Sequence, residues 1–327
     1  MKLEPNVWFD EVVKTYHLIS PHIHHTQLVT CPDLNEELGG RFLFKPESLQ
    51  ITGSFKVRGA LSAISRLSKD ELKRGVIAYS SGNHAQGVAH AAKVFNTPAT
   101  VVMPKDAPER KIANARALGA QVIFYDRRTE NREEMSREIA KEKNLVIINP
   151  YDALETIYGQ GTAAYEVIHD ANNPKLDNAI ICAGGGGLTA GSCISIKHIN
   201  PQCNVFTAEP EEWNDHQLSF EKNERVAMDI NRGGLCDGLL TPTPGEIPFA
   251  INTHFGVKGL SASDQAVCEA MRFAFNRLNL KLEPSGAVAL ACLLQHKERF
   301  RGSRTLVMLS GGNVDQKTFA ECLAKAN

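Results

Sequence analysis

Thr52-Gly53-Ser54-Phe55-Lys56-Val57-Arg58-Gly59-Ala60 sets one lysine at the start of an apolar, helix-periodic run, directly after a turn. The first turn of a helix leaves backbone N–H groups without intrahelical partners and carries the positive end of the dipole. That field disfavours an ammonium, so Lys56 is a candidate for a neutral amine able to condense with an aldehyde. On its own the stretch reads more readily as a solvated surface lysine, the ordinary place for that side chain. The loops on either side decide between the two.

Outward from Lys56 the chain alternates short apolar runs with longer periodic ones. Strands are predicted at 41–45, 76–79, 99–103, 121–125, 145–148, 178–182, 204–208 and 305–309. Helices are predicted at 8–16, after His84 to about 94, at 109–118, 131–143 and 155–169, after the glycines to 199, and at 263–278. Strands of four or five residues separated by helices of ten or more argue for parallel βαβ units. The expected fold class is α/β, with two doubly wound lobes and ligand loops at the carboxyl ends of their strands. The division places 1–52 and 147–327 in a large lobe and 53–146 in a small, mobile one. Residues 211–260, rich in Pro and Gly, read as long loops near a site.

Three of those strand-ending loops can carry chemistry. Ala183-Gly184-Gly185-Gly186-Gly187-Leu188 lies between a strand and a helix, so successive N–H groups can converge on a phosphate. It lacks the Lys-Ser/Thr of a Walker loop and the Gly-x-Gly-x-x-Gly spacing of a dinucleotide fold. Ser80-Ser81-Gly82-Asn83-His84 offers N–H groups to a carboxylate and an amide to a phenolic oxygen. Ser310-Gly311-Gly312-Asn313 offers a hydroxyl to a ring nitrogen without fixing a full charge there. A lysine, a phosphate cup, a carboxylate loop and a terminal Ser-Gly-Gly are together what a pyridoxal phosphate site requires.

Composition narrows the partners. The 327 residues carry 36 Lys and Arg against 37 Asp and Glu, a net charge of -1, which argues against nucleic acid or an acidic membrane surface as the main partner. No apolar run is long enough to span a membrane. The eight cysteines form no Cys-x-x-Cys pair and several sit in apolar runs, which reads as reduced thiols in a cytoplasmic protein. His22, His24 and His25 have neither helical ligand spacing nor an acidic neighbour, so a structural turn is preferred there over a metal site.

The chain resembles the fold-type II pyridoxal-phosphate enzymes, specifically the serine/threonine dehydratase and serine racemase group. The resemblance runs from His25-Thr26-Gln27-Leu28 to Ser310-Gly311-Gly312-Asn313 and rests on Ser54-Phe55-Lys56-Val57-Arg58-Gly59-Ala60 together with Ser80-Ser81-Gly82-Asn83-His84. It implies the tryptophan synthase β-like fold, with the cofactor between the lobes. It implies that Lys56 joins the cofactor aldehyde and later takes the Cα proton, with Phe55 packed near the ring. Asn83 would bond the ring hydroxyl, Gly184, Gly185, Gly186, Gly187 and Leu188 the phosphate, and Ser310 the pyridine nitrogen, with Glu283 close to the cofactor. Ser80, Ser81, Gly82, Asn83 and His84 would hold the substrate. Ser81 stands where racemases of this group place a second base. The phosphate of the cofactor would protonate the leaving hydroxyl.

The same resemblance matches Glu209-Pro210-Glu211-Glu212-Trp213-Asn214-Asp215 to a divalent-metal loop. Glu209 and Asp215 would give carboxylates and Trp213 a backbone carbonyl, to Mg²⁺ or Ca²⁺. Trp213 and Asn214 depart from the commoner small residue and Asp. The expected activity is a lyase that deaminates L-threonine or L-serine to a 2-oxo acid and ammonia. Serine racemase and 3-hydroxyaspartate ammonia-lyase are the alternatives, and a non-catalytic binder of an amino acid or nucleotide phosphate is the rival from another class. A β-carboxylate substrate needs an added cation, for which His84 and Arg132 are the candidates. A small amino acid is the expected partner and a homodimer the expected assembly. The end at Asn327 predicts no added regulatory domain and hence no isoleucine feedback.

Overall fold

Two sheets divide the chain in the computed structural model, which describes residues 5–80, 82–107, 109–126, 128–170, 175–229 and 232–326. It begins with α1 (Pro5–Ile19), β1 (Val29–Thr30), α2 (Pro32–Leu38) and β2 (Arg41–Pro46). Next come α3 (Lys56–Ser65), α4 (Lys69–Arg74), β3 (Val76–Tyr79), α5 (Asn83–Val94) and β4 (Ala99–Pro104). They are followed by α6 (Glu109–Ala117), β5 (Gln121–Tyr125), α7 (Arg132–Lys143) and β6 (Val146–Ile147). The chain continues with α8 (Leu154–His169), β7 (Asn178–Cys182), α9 (Gly187–Ile199), β8 (Asn204–Pro210), α10 (Asp215–Lys222) and α11 (Glu246–His254). It closes with β9 (Lys258–Ala262), α12 (Asp264–Phe273), α13 (Pro284–Gln295), β10 (Arg304–Leu309) and α14 (Gln316–Lys325).

One sheet runs β1-β2-β10-β7-β8-β9 and the other β5-β4-β3-β6. Every pairing is parallel except β1 with β2. Helices cover such sheets on both faces, which is why Val76-Ile77-Ala78-Tyr79 is buried at every position instead of alternating. Most predicted strands stand within a residue or two of their observed ends. The exceptions in kind are the two-residue β1, which was not predicted, and β9, which falls across the stretch read as loop. Lys258-Gly259-Leu260-Ser261-Ala262 has no β-branched residue; it extends by pairing along the edge of β8, Phe206 to Lys258 through Pro210 to Ala262. α10 and α11 also occupy that stretch. The helix predicted over 263–278 begins at a serine cap, with Ser263 Oγ accepting from Ala266 N, but turns into a π-turn after Phe273.

The helix that carries the lysine sits at the seam. Val57, Leu61 and Ile64 of α3 are fully buried with Val76, Ala78, Val88 and Met103 under the smaller sheet. Each such side chain contributes about 1.5–3 kcal/mol by leaving water. The other face of α3 meets α8 of the larger unit, where Arg58 joins Glu47 and Glu166. Its Nε lies 2.7 Å from Glu47 Oε2, its Nη1 lies 2.7 Å from Glu166 Oε1, and Lys45 Nζ completes the group 2.5 Å from Glu166 Oε2. All four side chains are sealed from solvent. Two cations face two anions, so no net charge is buried. All eight cysteines are buried and free. No helix among the described residues is long and apolar enough to cross a membrane.

Candidate active site

Lys56 is the first residue of α3, and its side chain enters a cleft between the two sheets. Nζ donates to the Pro150 carbonyl at 3.0 Å and lies 5.0 Å from the centre of the Phe55 ring. Burial pushes its pKa down to about 8. The neutral amine expected from the helix start is thus favoured chiefly by desolvation, since no carboxylate among the described residues pairs with it. The turn before it is anchored to the last strand. Phe55 N donates to the Ser310 carbonyl at 3.1 Å, and Ser54 forms a bridge with Gly311.

The glycine loop closes the floor of the cleft between the end of β7 and the start of α9. Two rings wall it. A Cβ on Gly185 would collide with the Tyr151 ring, and one on Gly186, whose φ is +88°, with His216. The loop therefore needs its glycines for close approach as well as for backbone freedom. Tyr151 is set by Asn149, whose Oδ1 accepts from Tyr151 N at 3.1 Å and Asp152 N at 2.8 Å. That turn also delivers the Pro150 carbonyl to Lys56. Sequence reasoning passed over His216. The signal for His216 was only its adjacency to Asp215.

Asn83, at the start of α5, reaches across to the larger unit. Its Nδ2 donates to Glu283 Oε1 at 2.6 Å, and its Oδ1 accepts from Asn313 Nδ2 at 2.7 Å. Asn313 Nδ2 also donates to the Thr52 carbonyl at 2.7 Å. Burial raises the pKa of Glu283 to about 7. Ser310 lies beside Cys182, whose thiol burial raises to about 11, so neither side chain brings a charge to that end of the cleft at neutral pH.

The carboxylate loop is only partly described. Ser81 lies outside the described residues. Ser80 Oγ accepts from Gly82 N at 3.1 Å, which folds the loop on itself. His84 corrects an expectation. Its Nε2 faces the Ile148 carbonyl at 2.8 Å and must donate to it, while burial lowers its pKa to about 3. A neutral, buried ring cannot be the cation for a second carboxylate. Arg132 at the start of α7 does line the cleft, and no carboxylate among the described residues pairs with it. Lys111 of α6 lines it too, with Nζ 3.1 Å from Asp237 Oδ2 across the opening.

Behind the glycine loop, Glu209 and Asp215 are both fully buried. Glu209 accepts from His216 N at 2.8 Å and Gln217 N at 2.9 Å. Neither Asp215 oxygen has a hydrogen-bond partner among the described residues. Desolvation and then mutual repulsion raise Glu209 far above the usual carboxylate range, and burial raises Asp215 to about 8. A buried carboxyl pair, Asp215 without a partner among the described residues and Glu209 held by backbone N–H groups alone, fits a hard divalent cation. No third His, Cys, Asp or Glu converges with them among the described residues, so backbone carbonyls and water would complete the shell. Trp213 is buried beside them, with Nε1 donating to the Gly233 carbonyl at 2.8 Å.

The family described as pyridoxal-phosphate dependent enzyme matches residues 19–311. An L-threo-3-hydroxyaspartate ammonia-lyase of Saccharomyces cerevisiae is 39% identical over 316 residues, covering 97% of this chain and 96% of its own. A serine racemase of Schizosaccharomyces pombe is 38% identical, covering 97% of each. Among solved structures, serine racemase from Dictyostelium discoideum superposes with a TM-score of 0.87 at 35% identity, over 94% of this chain and 98% of that one.

Proposed function

This chain belongs to the pyridoxal-phosphate-dependent enzymes, and we propose that it is an ammonia-lyase acting on 3-hydroxyaspartate, releasing oxaloacetate and ammonia. The observation that carries this reading is Arg132. It places an uncommitted guanidinium on the cleft wall, and such a group suits a β-carboxylate through two parallel charge-assisted bonds. L-Serine and L-threonine, the substrates first expected from sequence, have no second carboxylate to use it. The similarity to the hydroxyaspartate ammonia-lyase of Saccharomyces cerevisiae supports the same choice.

The residues fit the cofactor: an enclosed lysine of lowered pKa, a loop whose glycines leave no room for side chains, and an uncharged serine opposite. Gly184 to Leu188 would hold the phosphate, Asn83 the ring oxygen and Ser310 the ring nitrogen. Bound there, the cofactor supplies an aldehyde for the amine and an electron sink for the Cα–H bond. The chain supplies the rest. Lys56, whose lowered pKa of about 8 makes its neutral form accessible far more readily than that of an ordinary lysine, takes the Cα proton. The first N–H groups of α5 have no intrahelical partners and face the α-carboxylate. Arg132 orients the β-carboxylate, and Lys111 can turn from Asp237 to add to it. Tyr151 lines the same cleft, and burial raises its phenol to about 12, so it stays protonated at neutral pH. Glu209 and Asp215, with the Trp213 carbonyl, would hold Mg²⁺ or Ca²⁺ behind the phosphate cup.

The test is a product assay on holoenzyme with 3-hydroxyaspartate, L-serine and L-threonine, following oxo acid and amino acid enantiomer. Wild type should prefer 3-hydroxyaspartate. Arg132→Met should lower kcat/KM for it by about 10- to 100-fold, the worth of charged hydrogen bonds, and change L-serine turnover less than threefold. Faster turnover of L-serine or L-threonine by wild type would return the assignment to a serine/threonine dehydratase. Net inversion of serine would make it a racemase.

A further inference from the structure

His216 stands at the start of α10 with no part in the chemistry above, yet both ends of it are engaged. Its backbone N–H goes to Glu209. Its Nε2 lies 2.8 Å from the Gly184 carbonyl oxygen, in the middle of the glycine loop. A carbonyl only accepts, so Nε2 carries the proton and Nδ1 is left as an acceptor, without a partner among the described residues. The ring is fully buried and fills the space that a side chain at Gly186 would need.

The consequence follows from peptide geometry. In a trans peptide the carbonyl oxygen and the next N–H point to opposite sides, and no cis peptide occurs among the described residues. Holding the Gly184 carbonyl toward His216 therefore turns the Gly185 N–H away from it, toward the cleft. Without the imidazole, this two-glycine peptide has little to prevent rotation, because glycine accepts both signs of φ.

We propose that His216 is a positioning residue for the phosphate of the cofactor, fixing the Gly184–Gly185 peptide so that its N–H is aimed at the anion. This rests on the reading of Gly184 to Leu188 as the phosphate cup. Because the same residue binds Glu209 through its backbone, it also ties the buried carboxyl pair to that cup.

The apoprotein tests it with two probes: inorganic phosphate, by titration calorimetry, and phosphate-free pyridoxal, by the visible absorption it gains on joining Lys56 with loss of water. His216→Leu keeps the bulk and removes the donor. Its phosphate Kd should rise about tenfold, the cost of one lost hydrogen bond, while the Kd for pyridoxal stays within twofold. His216→Gln, which can present an amide N–H near the same point, should bring phosphate back to within threefold. Gly185→Ala, which crowds Tyr151, reports on the cup itself. If His216→Leu binds phosphate like wild type while Gly185→Ala does not, the cup stands and the role of His216 is wrong. If neither variant loses phosphate, the cup reading fails and the inference with it. Equal losses for phosphate and pyridoxal in His216→Leu would mark a general disturbance of the cleft and also overturn it.

Discussion

Lys56 and Arg58 sit two residues apart on the first turn of one helix, and their surroundings are opposite. Lys56 meets a single carbonyl at the cleft, whereas Arg58 is locked between two carboxylates in a sealed interior. The cleft lysine is thus carried by a turn whose Arg58 side chain cannot shift without uncovering buried charge.

Arg58→Met should accordingly be costly. It leaves Glu47 and Glu166 buried with Lys45 alone for compensation. Breaking such a group costs about 3–5 kcal/mol, read as a lower urea midpoint at unchanged slope. Lys73→Ala, at an exposed pair with Asp70, should cost under about 1 kcal/mol. Similar losses for the two would mean that the buried network does not hold the helix.

The lowered pKa of Lys56 sets a pH dependence. Only the neutral amine attacks an aldehyde. Covalent capture of pyridoxal by the apoprotein should rise with pH and level off above about 8, about two units before an ordinary lysine would. A rate still climbing at pH 10 would show that the enclosed cleft does not desolvate the amine.

The amide of Asn83 has its direction fixed by its neighbours. Asn313 Nδ2 can only donate, so it holds Asn83 Oδ1 and leaves Asn83 Nδ2 for Glu283 and, in the proposed site, the cofactor oxygen. Asn313→Asp reverses that demand with almost no change in shape. The holoenzyme should then show a shifted visible absorption maximum, weaker cofactor retention and a lower thermal midpoint, since the Thr52 carbonyl also loses its donor. Asn313→Ala, which imposes no direction, should shift the maximum less.

Much of this was legible because its signals are local. Glycines mark the loop after β7, and four-residue apolar runs mark buried parallel strands. His84 was misjudged because a histidine after Asn83 reads as a cleft cation until the Ile148 carbonyl is seen to cap it. β9 was missed because pairing with β8, not composition, makes it a strand. His216 was missed because its partner Gly184 lies on another element and only its place beside Asp215 marked it in the sequence.

Removal of divalent cations should act through Glu209 and Asp215. Without a cation, the folded protein keeps protons there that the unfolded chain releases above about pH 4. Stability in chelator should therefore fall as pH rises from about 4 through about 8, the folded value of Asp215. Mg²⁺ or Ca²⁺ should raise Tm more at pH 8 than at pH 6, and Asp215→Asn should abolish the increment. An equal increment in Asp215→Asn would place the cation elsewhere.

The strand order also dictates a sequence of events during synthesis. β3 to β6 lie within one continuous stretch of chain, so the smaller sheet can form while the ribosome is still making the rest. β2 must wait for β10, its neighbour from Arg41 opposite Arg304 to Pro46 opposite Leu309. Such a late, distant pairing is slow to find and leaves apolar edges uncovered in the meantime. Lys56 is made early but gains its surroundings last, because Ser310 and Asn313 follow β10. A nascent chain should therefore hold a folded small sheet and an unsatisfied lysine helix until β10 and the Ser310 loop have been made.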